Sequence, residues 1–146
     1  MPESALRLVG IAGSLRAGSL NRALLEAARG LTPDPVEIVP FDLAPIPLYN
    51  GDLDDDEHRP EAVVRLKEAI FRADGVLLVS PEYNYGVPGV LKNALDWASR
   101  PGFRSPMAGK PVGMMGASKG ASGTMRGQEQ LKLTLLGMGS QVFPPP

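Results

Sequence analysis

The chain has 146 residues, enough for one domain with a sizeable core and too few for two of ordinary size. Lys and Arg number 15 against 16 Asp and Glu, a formal net charge of −1, so bulk electrostatics favour neither nucleic acid nor an anionic membrane as partner. The absence of cysteine excludes disulfides, thiolate catalysis, iron–sulfur clusters and Cys-based zinc sites. Any redox chemistry must come from a bound organic cofactor. No run approaches the ~20 apolar residues of a membrane span, and the start of the chain lacks the basic-then-apolar pattern of a signal peptide, so the expected location is cytoplasmic.

Ala5 to Ile11 reads as a short buried strand, followed by a polar, Gly-containing loop to Ser19. Leu20, Leu24, Ala27 and Leu31 then recur on one helical face. Val36–Val39 is a second strand, and the proline-rich stretch from Pro40 to Pro47 is expected to be irregular. An acidic loop with Asp52, Asp54, Asp55, Asp56 and Glu57 precedes a helix opened by Pro60, with Val63, Leu66, Ile70 and Ala73 in one stripe. Val76–Val79 lacks alternation, as a central parallel strand covered on both faces does. A loop from Ser80 to Val87 leads to a helix opened by Pro88. Val112–Met115 is a fourth strand, Gly116–Gly123 a glycine-rich loop, and a further helix runs to about Leu136. Gln141–Phe143 is a candidate fifth strand before Pro144–Pro146. Alternating strands and helices imply one parallel sheet with right-handed crossovers. Ligands then bind beyond the carboxyl ends of the strands, where the loops after the first, third and fourth strands should meet.

The first of these loops is built for an anion. Helix N-termini present unpaired N–H groups and a positive dipole end. Ser14 and Ser19 add hydroxyls, Asn21 an amide and Arg16 a permanent charge. Ser19 also suits the helix cap. The spacing from Gly13 to Gly18-Ser19 lacks the lysine of a nucleoside-triphosphate P-loop, and G-x-G-x-x-G is absent. Lone His58 in the acidic loop is expected to be exposed, and no metal site is expected. Lys92, Asp96 and Arg100 share a helical face, consistent with a solvated ion-pair ladder. Trp97 falls off the Leu91–Leu95 stripe, where it could face a partner subunit.

The segment Pro81-Glu82-Tyr83-Asn84, with Pro88-Gly89 and the run Leu91-Lys92-Asn93-Ala94-Leu95-Asp96-Trp97-Ala98-Ser99-Arg100, resembles the NADPH-dependent FMN reductase family. That family is a flavodoxin-like group that includes quinone, chromate and azo-dye reductases. The first loop, Gly13-Ser14-Leu15-Arg16 with Ser19 and Asn21, matches as well, so the resemblance covers essentially the whole chain as a single domain, residues 1–146. It implies a three-layer open parallel five-stranded sheet of order 2-1-3-4-5. It implies FMN as cofactor, NADPH or NADH as electron donor, a small electron acceptor, and a homodimer or homotetramer. Ser14, Arg16, Ser19, Leu20 and Asn21 would hold the FMN phosphate. Pro81, Glu82, Tyr83, Asn84 and Tyr85 would hold the isoalloxazine ring, largely through backbone groups, and Ser118 would face the flavin. No side chain need act as acid, base or nucleophile, because flavin N5 carries the chemistry. Two departures stand out. Thr124 occupies a position where the family usually has a second consecutive glycine, and the helix that usually follows the proline run is missing, which would leave apolar surface on one sheet face.

Overall fold

The computed structural model describes residues 5–143, so Pro144–Pro146 lie outside the described residues. The chain alternates strand and helix: β1 (Leu6–Ala12), α1 (Leu20–Leu31), β2 (Val36–Phe41), α2 (Glu61–Arg72), β3 (Gly75–Val79), α3 (Gly89–Ala98), β4 (Pro111–Met115), α4 (Met125–Gly137) and β5 (Gln141–Val142). All neighbouring strands pair in parallel, in the order β2-β1-β3-β4-β5. This is the expected flavodoxin-like sheet.

The pleat sends alternate residues to opposite layers. Val9, Ile11, Val76, Leu78, Val112 and Met114 face a large core with Val63, Leu66 and Ile70 of α2, Leu91 and Leu95 of α3, and Leu131 and Leu135 of α4. On the other face, Leu25 of α1 packs with Ile38 and Val79, flanked by Leu8, Leu77 and Met115. Among the described residues α1 is the only α-helix of this smaller cluster. Beyond it a cleft of about 370 Å³, lined by Leu6, Leu8, Leu77, Pro111, Gly113 and Phe143, lies open. Its lining is mostly apolar.

Three readings of the sequence change. The proline-rich stretch does not begin irregularly, because Pro40 lies within β2, opposite Gly10 in register. Its missing N–H is tolerated because β2 is an edge strand. Trp97 does not face outward: its side chain is fully buried. Its indole N–H donates to the Pro47 carbonyl at 2.8 Å, and Tyr49 packs edge-on at 4.8 Å between ring centroids. Asn93 completes the clasp, donating to the same carbonyl at 2.8 Å and accepting from the Tyr49 N–H at 2.7 Å. The chain's own Pro47–Tyr49 segment therefore covers the surface once open to a partner. Lys92 and Asp96 form the expected exposed pair at 2.6 Å, but the Arg100 guanidinium leaves the ladder and lies 5.9 Å from the Tyr49 ring centre.

The acidic loop folds onto α2 through Asp54. Its nearly buried carboxylate accepts from Arg59 Nε at 2.8 Å and lies 3.7 Å from Lys67 Nζ. The bond to Asp54 raises the Arg59 pKa further above its already high ordinary value, while burial pushes the Lys67 ammonium down. His58 is exposed as expected, and its bond to Asp55 holds that carboxyl below its ordinary range. Among the described residues no group of three or more His, Cys, Asp or Glu side chains could hold a metal ion, and no helix is long and apolar enough to cross a membrane.

Candidate functional site

The three chemically unusual loops leave the sheet side by side. Gly13 N–H donates to the Val79 carbonyl at 2.8 Å and Ser80 N–H to the Met115 carbonyl at 2.9 Å, carrying the ladder one residue beyond the strands. The loops after β1, β3 and β4 therefore open onto one edge. Between them lies a cleft of about 220 Å³ lined by Ser14, Arg16, Ser19, Leu20, Asn21, Pro81, Glu82, Tyr83, Ala117 and Ser118. A larger cleft of about 690 Å³ shares Ser14, Ser19 and Leu20 and opens on the far side of the same loop, towards Phe41 and Asp42.

At the α1 end of the cleft, Ser19 is the N-cap of the helix. Its Oγ accepts from the N–H groups of Asn21 and Arg22, at 3.2 and 3.4 Å. Ser14 Oγ accepts from the Arg16 N–H at 3.3 Å. Each hydroxyl thus keeps its own hydrogen for an incoming oxygen. The N–H groups of Ala17, Gly18 and Leu20 find no acceptor among the described residues. Arg16 has no carboxylate within ion-pair reach there either. Its guanidinium folds back over Gly18, where a Cβ would come within 3.3 Å of Nη1. Amides without acceptors, two donor hydroxyls and one uncompensated cation at a helix N-terminus are the chemistry of a phosphate monoester site. The donor set fits the phosphate of FMN.

At the other end, Tyr83 and Gly86 exchange backbone hydrogen bonds at 3.1 and 3.0 Å around a two-residue turn. Asn84 and Tyr85 both have positive φ, 51° and 63°. That is the type I′ pattern, in which asparagine is at home and tyrosine is strained. The turn separates the two tyrosines: Tyr83 lines the cleft, while the Tyr85 ring lies 4.3 Å from the Arg126 guanidinium, a cation–π pair on the α4 side. Asn84 and Tyr85 are exposed and do not line the cleft. The Glu82 side chain turns away towards α4, where Oε2 accepts from the Gly127 N–H at 2.8 Å.

The loop after β4 completes the enclosure. Gly116 permits no side chain, since a Cβ there would collide with Thr124 and the Ser80 carbonyl. Thr124, the departure from the family pattern, is buried and accepts from Gln128 Nε2 at 2.9 Å, filling the space beside Gly116. Ser118 is exposed at the rim, its Oγ accepting from the Gly120 N–H at 3.0 Å. Sequence reasoning missed Ala117 as a lining residue. Asn21 grips its backbone with both ends of its amide, and a residue held by its backbone leaves no mark on residue type.

An open parallel sheet whose α1 N-terminus presents amides without acceptors, with two further loops at the same edge, is the arrangement of a doubly wound domain that takes its ligand beyond the strand ends. The chain belongs to the NADPH-dependent FMN reductase family, whose model matches residues 6–146. It is 49% identical over 131 residues to an NAD(P)H-dependent FMN reductase of Pseudomonas aeruginosa, covering 90% of this chain and 70% of that protein. It is 42% identical over 142 residues to a quinone reductase of Escherichia coli, covering 97% and 75%. Among solved structures, FerB of Paracoccus denitrificans, a flavoenzyme NAD(P)H:(acceptor) oxidoreductase, superposes with a TM-score of 0.90 at 38% identity, covering 97% of this chain and 76% of that one.

Proposed function

We propose that this protein is an FMN-dependent NAD(P)H oxidoreductase that passes electrons to a small organic acceptor, with a quinone the first to test. The observation that carries this reading is the cleft itself: a phosphate-type donor set at one end and a Tyr83-bounded turn at the other, both on the ligand edge of the sheet. Membership of the FMN reductase family agrees with it. Bound there, FMN would supply two-electron redox chemistry between the pyridine nucleotide and the acceptor. The chain's own residues bind and orient. Ser14, Arg16, Ser19 and the Leu20 N–H hold the phosphate, the Pro81–Tyr83 backbone borders the ring, and Ser118 closes the rim. No side chain is asked to move a proton, so the protein's contribution is position and shielding. The balanced charge of the chain favours this reading over a strongly acidic electron carrier. The proposal includes a cytoplasmic location and a homodimer or homotetramer. Exposed Met125, Leu133 and Leu136, aligned on the outer side of α4, support association.

The test is anaerobic. The protein is loaded with FMN, freed of unbound flavin and mixed with NADPH or NADH while the visible flavin absorbance is followed. Bleaching on a catalytic timescale, reversed by a quinone, is the expected result. Flavin that is retained but stays oxidised would move the protein to the carriers or sensors.

A further inference from the structure

Asn21 stands in the first turn of α1 beside the amides without acceptors, and its residue type reads as one more phosphate ligand. Its side chain is committed elsewhere. Nδ2 donates to the Ala117 carbonyl at 3.0 Å, and Oδ1 accepts from the Ala117 N–H at 2.8 Å. One residue offering both its N–H and its C=O to the same neighbour is how a hydrogen-bonded pair in an antiparallel ladder is joined. Here a side-chain amide takes the place of the second strand. The bridge spans 96 positions of sequence and ties the start of α1 to the loop leaving β4. Asn21 is 3% exposed, so swinging the amide towards a phosphate would leave two Ala117 backbone groups unpaired in a half-buried place. Ser14, Arg16 and Ser19 carry no such commitment to a distant loop.

We infer that Asn21 is a positioning residue for the ring end of the flavin site, not a ligand of the phosphate. By fixing Ala117 it sets Ser118, and so the distance between the loop that grips the phosphate and the rim that meets the isoalloxazine. The inference rests on the FMN reading above and assigns one of its residues a different task.

The two roles separate when FMN is compared with riboflavin, which has the same ring and lacks the phosphate. Wild type, N21A and R16A are titrated with each flavin by fluorescence quenching. R16A is expected to lose affinity for FMN and leave riboflavin unchanged. N21A is expected to weaken both by about tenfold, the effect of losing two partly buried hydrogen bonds, with the FMN-to-riboflavin ratio kept. At saturating FMN, the visible spectrum of the bound flavin should shift in N21A and match wild type in R16A, which a general loss of stability would not produce. If N21A does not fold, N21Q serves, because its extra methylene keeps an amide near the loop but carries it off Ala117. An Asn21 variant that loses FMN selectively, as R16A does, would overturn the inference. So would unchanged binding of both flavins, or a wild-type spectrum at saturation. Wild type that takes up neither flavin would overturn the FMN reading first and this inference with it.

Discussion

Glu82 offers the sharpest test of how the site is held. The N-terminus of α4 has no side-chain cap of its own, since Thr124 at the N-cap position makes no capping bond. The Glu82 carboxylate supplies the cap from the neighbouring loop, accepting the Gly127 N–H at 2.8 Å. A hydrogen bond to a charged group contributes about 1.5–3 kcal/mol, and an anion at the positive end of a helix about 0.3–1 kcal/mol more at the surface. Glu82 is partly exposed and the two effects overlap, so about 2 kcal/mol is the expected loss in Glu82→Ala. For a domain of this size that lowers the melting temperature by about 6 °C. Glu82→Gln keeps an acceptor oxygen without the charge and should lose about half as much, near 1 kcal/mol or about 3 °C. Thermal unfolding of the flavin-free protein at pH 7, followed by circular dichroism, measures both. Equal losses in the two variants, or a Glu82→Ala protein within about 0.5 kcal/mol of wild type, would refute the capping argument.

Three other outcomes follow from the same geometry. Asn93→Ala removes two hydrogen bonds holding Pro47 and Tyr49 on α3, and should lower stability by about 1–2 kcal/mol in urea titration while speeding proteolysis near exposed Leu48. Lys67→Met should be at least as stable as wild type at pH 7, because the Lys67 ammonium has no hydrogen bond and Asp54 keeps Arg59. Folded Lys67 gives up its proton more readily than the unfolded chain does, so wild-type stability should rise as pH climbs from the lowered pKa towards the ordinary value of 10.5, and Lys67→Met should lack that rise; a variant destabilised by more than about 1 kcal/mol at pH 7 would show that the 3.7 Å pair with Asp54 outweighs desolvation. Gly18→Val puts a branched side chain where Arg16 Nη1 now lies, and should weaken FMN by about tenfold, read by fluorescence, with the melting temperature of the flavin-free protein little changed.

Much of this molecule was legible before any coordinates. The strand at Val76–Val79 has no polar residue to alternate with, which only a doubly covered central strand tolerates, and it does lie in the middle of the sheet. The stripe of Val63, Leu66 and Ile70 fixed which face of α2 turns inward, and all three are buried. Where the reading slipped, a local rule met a tertiary exception. Proline reads as the end of β2, but an edge strand has one side that needs no N–H donor, and Pro40 uses it. Helical phase alone puts Trp97 off the apolar stripe, where it could face a partner subunit. The segment that covers it starts some fifty positions earlier, and nothing in the phase of α3 announces it.

The candidate site divides along the same line. Donor chemistry is local: serines, an arginine and glycines within one short loop declare an anion site, because the groups that would bind are adjacent in sequence. What holds the three loops in mutual register is non-local. Asn21 grips Ala117 in the loop after β4 and Glu82 grips Gly127 in the first turn of α4, each pairing a side chain with a backbone group of another segment. Such a pairing constrains the residue type at one end only, so the sequence shows an amide or a carboxylate with several equally good uses nearby. Phosphate ligation for Asn21 and a ring contact for Glu82 are the uses that proximity suggests. The folded chain offers each a buried or partly buried backbone partner instead, and leaving those partners unpaired would cost more than losing one solvent-accessible ligand contact. In a cleft assembled from three loops, polar side chains at the seams are therefore drawn to bracing, while Ser14, Arg16 and Ser19, which hold no distant loop, stay available for binding.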